Sequence, residues 1–219
     1  MAVSFWEILW LLSHGIGHTL LVTLVCSATA IIFALTMISA RTLGGSLAKR
    51  SIDIIVYCLR GIPVLVLLFL VYFGLPASGI KVAPLTAMAL SLGLIGGAYV
   101  TEVFRGALDS IDPVEITAAQ SLGMSRLQVF VHLQAPQMLR FSAPGVLNEF
   151  TSILKYSPFA YTVGIPEMTK QATTLASTTL QGAEIYLAVG ILYFLIYRLL
   201  LALARTIERR FRVPGVSPL

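Results

Sequence analysis

Charge is what this sequence has least of. Asp, Glu, Lys and Arg make up 11% of its 219 residues, hydrophobic residues 57%, and the mean hydropathy is +0.88. A soluble domain of this size keeps about a quarter of its residues charged, so the main solvent here is lipid. Cysteine is scarce as well. Cys26 and Cys58 both lie in apolar runs, and two cysteines make no disulfide framework, so they read as small packing residues. None of the four lysines follows a glycine, which excludes the Gly-Lys-Ser/Thr end of a phosphate-binding loop. A Gly-x-Ser-x-Gly elbow is also missing, so hydrolase chemistry has no support. The net charge of +5 and the pI near 9.4 do not point to nucleic acid, because the basic residues are spread over short loops instead of gathered on one face.

What is present is a series of long apolar runs. A span needs roughly 20 such residues at about 1.5 Å rise each, and residues 16–40, 52–74, 84–104, 138–157 and 185–204 meet or approach that. The fourth is interrupted by Pro136, Pro144 and Pro158. Proline breaks are tolerated in a membrane where neighbouring helices or a water-filled cavity satisfy the freed carbonyls, so this segment is expected to line something. Ahead of the first span, the amphipathic SFWEILWLLSH with Trp6 and Trp10 suits the outer interface; it carries no positive n-region of a cleavable signal. The fold class is therefore all-α and integral to the membrane. Residues 1–15 form an interfacial helix, 16–210 the transmembrane domain, and 211–219 a tail.

Basic residues divide unequally between the loops. Arg41, Lys49 and Arg50 follow the first span, Arg105 and Arg126 flank the loop after the third, and Arg205, Arg209, Arg210 and Arg212 follow the fifth. Lys81 and Lys170 lie on the other side. The positive-inside rule then puts the N-terminus outside, and the C-terminus and the loop after the third span in the cytoplasm.

That loop, within SIDPVEITAAQSLGMSRLQVFVHLQAPQ at 110–137, has two helix starts in succession. Asp112 suits an N-cap, Pro113 the first helical position, and Glu115 the third residue of a capping box. Gly123 suits a left-handed stop, and Ser125 with Gln128 repeats the box. Thr117, Ala118 and Ala119 are small enough to let another surface approach. An ordinary interhelical loop with good caps would read the same way.

The segment resembles the EAA loop (112–136) of ABC importer permeases. Thr117-Ala118-Ala119, Gly123, Leu133 and Pro136 keep the family spacing, although Thr117 stands where the family has glutamate and Ala135 where it has leucine. RGIPVLVLLFLVYFGLP, GAYVTEVFRGALDSI and LNEFTSILKYSPF are similar to blocks of the polar amino acid permeases. The resemblance implies the type I ABC importer permease fold, with five spans and this loop as the coupling helix. It implies a separate ATPase dimer carrying ATP and Mg, a second permease subunit (identical or paralogous), and a periplasmic or extracellular solute-binding protein. The chain itself would bind no cofactor. Asp112, Glu115, Thr117, Ala118, Ala119, Gly123, Ser125 and Pro136 would serve ATPase coupling in the cell's inner membrane. The solute stays open among basic, acidic and neutral amino acids, opines and ectoine-like zwitterions.

Arg60, Glu102, Glu149 and Lys155 fall within or at the ends of predicted spans. Charges at the bilayer centre cost at least ~2.5 kcal/mol, so they face a cavity or each other. A zwitterion needs one cationic and one anionic contact. Arg60 or Lys155 would take its carboxylate and Glu102 or Glu149 its ammonium, with Asn148 adding polar contacts; internal pairing or snorkelling is the alternative. The family's Arg-Gly-Thr-Pro and Lys-Asp-Thr-Ser read here Arg60-Gly61-Ile62-Pro63 and Lys155-Tyr156-Ser157-Pro158. That loss of polar groups implies a smaller share in ligand binding than the partner subunit has, or a less usual solute. His14 and His18, four apart but without a nearby third ligand, are expected to be interfacial. An ion-coupled secondary carrier using the buried carboxylates is the other functional reading. Five spans without inverted repeats speak against it.

Overall fold

A computed structural model describes residues 3–211, and these are helical with no strand among them. Arg212 and the rest of the predicted tail beyond Phe211 lie outside the described residues, as do the side chains of Arg205, Arg209 and Arg210.

Helix α1 (Phe5–Ser13) begins with a complete capping box: the Glu7 N–H donates to Ser4 Oγ, and the Ser4 N–H donates to the Glu7 carboxylate. The Ser4 N–H and the Ser4 hydroxyl, both donating to Glu7 Oε2 at 2.9 Å, hold that carboxyl below its usual range. Ile8 and Leu12 face inward while Trp6 and Trp10 stay exposed, as an interfacial helix requires. Gly15 joins α1 to α2 (Ile16–Leu43). The backbone of Glu167 and Met168 crosses so close that a Cβ on Gly15 would lie 2.5 Å from the Met168 nitrogen, so only glycine fits. At 28 residues, α2 is about 42 Å long.

The predicted second span is not one rod. α3 (Ser46–Gly61) meets the segment Val64–Ala77 at 99°. Pro63 has no N–H to continue a helix and biases Ile62 towards extended backbone, which Ile62 adopts at φ −91° and ψ 128°. The second limb comprises α4 (Val64–Phe69), a π turn (Leu70–Gly74) and α5 (Leu75–Ala77). The central helix of the bundle is Pro84–Asp109, made of α6 (Pro84–Met88), a π turn (Ala89–Gly93) and α7 (Leu94–Asp109). It packs against α2, α3 and the later helix Ala135–Tyr156.

After the short helices α8 (Pro113–Ser121) and α9 (Arg126–Val129), a π turn (Phe130–Gln134) leads into α10 (Ala135–Tyr156). The expected proline interruptions do not break α10. Pro136 sits in its first turn, Pro144 is absorbed inside it, and Pro158 opens the 3-10 turn (Ser157–Val163) that follows. Three helices among the described residues are long and apolar enough to cross a membrane, and the bent pair makes a fourth. The remaining predicted span is α10, about 33 Å long and more polar, packed against α2, α7 and α12.

The Thr-rich stretch before the last span forms α11 (Met168–Thr179), and the last described element is α12 (Gly182–Phe211). Ile8, Leu12, Ala172, Ile185 and Ala188 pack α1, α11 and the start of α12 together, and the Val3 N–H donates to Gln181 Oε1 at 2.8 Å. These elements form one end of the bundle; α8 and α9 occupy the other.

Candidate functional site

The elbow between α7 and α10 is built by side chains that close helix ends. Asp112 accepts from the Val114 N–H at 2.8 Å and Pro113 follows at the first helical position. Gly123 takes φ +85°, and the Met124 N–H reaches back to the Ala119 carbonyl at 3.2 Å, the long bond of a left-handed helix stop. Ser125 and Gln128 complete their box, the Ser125 N–H donating to Gln128 Oε1 at 2.8 Å.

Two expectations for the elbow are corrected. Glu115 does not close the Asp112 box; its Oε2 accepts instead from Gln137 Nε2 of α10 at 2.7 Å. Ala119 does not share an outward small face with Thr117 and Ala118. It is 7% exposed and turned towards the bundle, because three successive helical residues cannot point the same way. The outward stripe is Val114, Ala118 and Leu122, four residues apart on one helix face, with Val114 70% and Leu122 85% exposed. Thr117 Oγ1 donates to the Pro113 carbonyl and Ser121 Oγ to that of Thr117, each at 2.9 Å. Both hydroxyls are spent on their own helix. Pro136 is exposed in the first turn of α10.

The five expected substrate contacts do not converge. Arg60 and Glu102 meet at 3.8 Å in a cleft of about 290 Å³ that Arg41, Asp53, Thr101 and Arg105 also line. Arg105 bonds Glu102 through its guanidinium and reaches Asp109 at 2.9 Å, while Arg41 Nε bonds Asp53 at 2.6 Å. The Arg60 guanidinium lies 5.2 Å from the centre of the Tyr99 ring. With Asp109 held beside the cleft by Arg105, three arginines meet three carboxylates, so the charges of this cluster balance.

Glu149 is elsewhere. It is half-buried against α7, where a Cβ on Gly96 would lie 3.5 Å from its Oε1, and it has no ion pair or hydrogen bond among the described residues. Asn148 is exposed, its carbonyl accepting from the Thr151 and Ser152 hydroxyls. Lys155 turns the other way, with Nζ 5.4 Å from the ring centre of Tyr197 on α12. His14 Nδ1 lies 3.1 Å from the Trp10 carbonyl at the interfacial end.

Sequence reasoning missed Glu167. This residue is fully buried and caps α11, accepting from the N–H groups of Thr169 and Lys170 and from the Tyr193 hydroxyl of α12, each at 2.8 Å. Burial raises its carboxyl above the ordinary range, and those bonds partly offset the rise. The available signal was an acid just before a helix, in Pro166-Glu167-Met168. Arg140, near the start of the fourth predicted span, was also passed over.

A family model described as "Binding-protein-dependent transport system inner membrane component" matches residues 30–213. Among curated proteins, the chain is 38% identical to a probable amino-acid permease protein, YxeN, of Bacillus subtilis (strain 168), over 71% of this chain and 70% of that one. It is 28% identical to the glutamine transport system permease protein GlnP of Escherichia coli (strain K12), over 96% of this chain and 97% of the relative. Among solved structures, an amino acid ABC transporter crystallised with histidines superposes with a TM-score of 0.85 at 28% identity, covering 96% of this chain and all of that one.

Proposed function

The chain belongs to the family of binding-protein-dependent transport system inner membrane components, and on that premise we propose how its parts work. It has the type I ABC importer permease fold and is a permease subunit for amino acids, not a catalyst. The finer reading is that it pairs with an identical or paralogous permease. An ATPase dimer supplies ATP and Mg from one side, and a solute-binding protein delivers a polar amino acid or related zwitterion from the other. The ion-coupled carrier reading finds no support among the relatives.

The observation that carries the coupling role is the α8 stripe of Val114, Ala118 and Leu122. Apolar side chains this exposed, on a short and firmly capped helix, suit a groove on another protein. The Glu115–Gln137 bond then passes movement of α8 to α10. The distribution of basic residues supports an α8 end in the cytoplasm, with α1 and α11 outside. Closure of the ATPase pair would press α8 inward and re-aim α10, turning Glu149 between the two faces of the membrane. We assign Glu149, with Asn148 beside it, as the ammonium contact. Arg60 and Glu102 act first as an internal pair that opens to solute carboxylate and ammonium. Lys155 is held against Tyr197 of α12, away from these contacts.

Affinity purification of the tagged chain from its native membrane in mild detergent, followed by an ATPase assay, tests this. An ATPase that co-purifies and is lost when Ala118→Arg and Leu122→Asp are introduced supports the reading. A chain that purifies alone and still moves solute down a proton gradient overturns it.

A further inference from the structure

A groove of about 460 Å³ lies between α2, α10 and α12 at the end of the bundle that carries α8. It shares no residue with the polar cleft, and only Pro136 at the end of the elbow reaches it. Ile31 and Leu35 come from α2, Leu139 and Val146 from α10, and the buried ring of Phe104 closes the inner side. Leu35 and Leu139 are 37% and 51% exposed, so the groove opens sideways, where a membrane protein meets lipid tails. One charged side chain lines it. Arg140 is exposed, one turn after Pro136, and has neither ion pair nor hydrogen bond among the described residues; no carboxylate lines the groove.

An unpaired guanidinium beside hydrocarbon is costly unless an anion meets it, and the planar fork of arginine matches phosphate. Basic pockets between transmembrane helices bind anionic lipid head groups on this principle. We propose that this groove holds an anionic phospholipid, with an acyl chain along Leu35, Leu139 and Val146 and its phosphate on Arg140. The apolar walls take the tail, and Arg140, which has no partner among the described residues, selects the net negative charge. A lipid held there would fix the splay of α12 from α10.

The full-length chain, with whatever subunits accompany it, is titrated with dioleoyl phosphatidylglycerol and with dioleoyl phosphatidylcholine in native mass spectrometry. The wild type should retain phosphatidylglycerol about five- to tenfold better. Arg140→Gln should abolish that preference without shifting the thermal midpoint, since the side chain has no described partner to lose. Ala143→Phe, which fills the groove, should lower retention of both lipids. An unchanged preference in Arg140→Gln, or unchanged retention in Ala143→Phe with the fold intact, overturns the proposal. So does cross-linking of Leu139→Cys to a second permease copy, which would give the groove to that copy.

Discussion

Gln137 Nε2 donates to Glu115 Oε2 at 2.7 Å, joining α8 to α10 across 22 residues of sequence. It is the one side-chain hydrogen bond among the described residues that ties α8 to a transmembrane helix. Both groups reach solvent, so the bond should contribute little to stability. Glu115→Ala and Gln137→Ala should each shift unfolding by no more than about 1 kcal/mol, with a double-mutant coupling of roughly 0.5–1 kcal/mol. Uptake should fall more than stability does, while ATPase activity of the complex persists. Parallel loss of uptake and thermal midpoint would make the bond merely structural.

Gly123 separates backbone demand from crowding. Its φ of +85° is left-handed, yet a Cβ there meets nothing within 4 Å. Asparagine visits this region readily and β-branched residues do not. Gly123→Asn should therefore keep the elbow and most of the uptake. Gly123→Val should cost about 1–2 kcal/mol and release the ATPase from detergent-purified complexes. Equal effects of the two variants would show that space, and not conformation, governs the position.

The elbow was legible in the sequence because its structure is local. Asp112, Gly123, Ser125 and Gln128 act on backbone groups within a few residues, so spacing alone locates them. Glu115 was misplaced because its partner Gln137 comes from α10, which spacing cannot reveal; Ala119 was misplaced although helical periodicity by itself separates it from Thr117 and Ala118. The same contrast separates the spans. Unbroken apolar runs located α2, α7 and α12, but averaging hydropathy through Gly61-Ile62-Pro63 hid a bend that Pro63 itself announces. Glu167 was out of reach for the opposite reason. One of its donors, the Tyr193 hydroxyl, is supplied from 26 residues away, and its burial exists only once α1, α11 and α12 have packed.

Glu149 provides a test of solute contact that stability cannot mimic. Since it is half-buried with no partner among the described residues, replacing it by glutamine removes charge at almost constant shape. Glu149→Gln should leave the thermal midpoint unchanged or slightly raised, because a desolvated charge is relieved. Uptake should fall by at least about tenfold if an ammonium group is bound there. Measuring both in the same membranes separates the roles: wild-type uptake in Glu149→Gln would remove the residue from the solute path.

Glu167 makes the α1–α11–α12 end of the bundle sensitive to pH. Its carboxyl is raised from 4.5 in the folded chain, chiefly by burial. A raised acid favours folding in full below its unfolded value and loses that contribution as pH climbs through the folded value. The thermal midpoint should therefore carry a component that declines from acid towards neutral pH. Tyr193→Phe removes a 2.8 Å donor to the carboxylate and should raise the Glu167 carboxyl further. The variant should lose about 1.5–3 kcal/mol at neutral pH, as for other bonds to buried charged groups, and less once the carboxyl is protonated. The hydroxyl donates only to the ionised acid with full effect, so the difference between variant and wild type must narrow on acidification. A constant difference across pH would mean that Tyr193 acts through packing, and that Glu167 stays in one protonation state throughout.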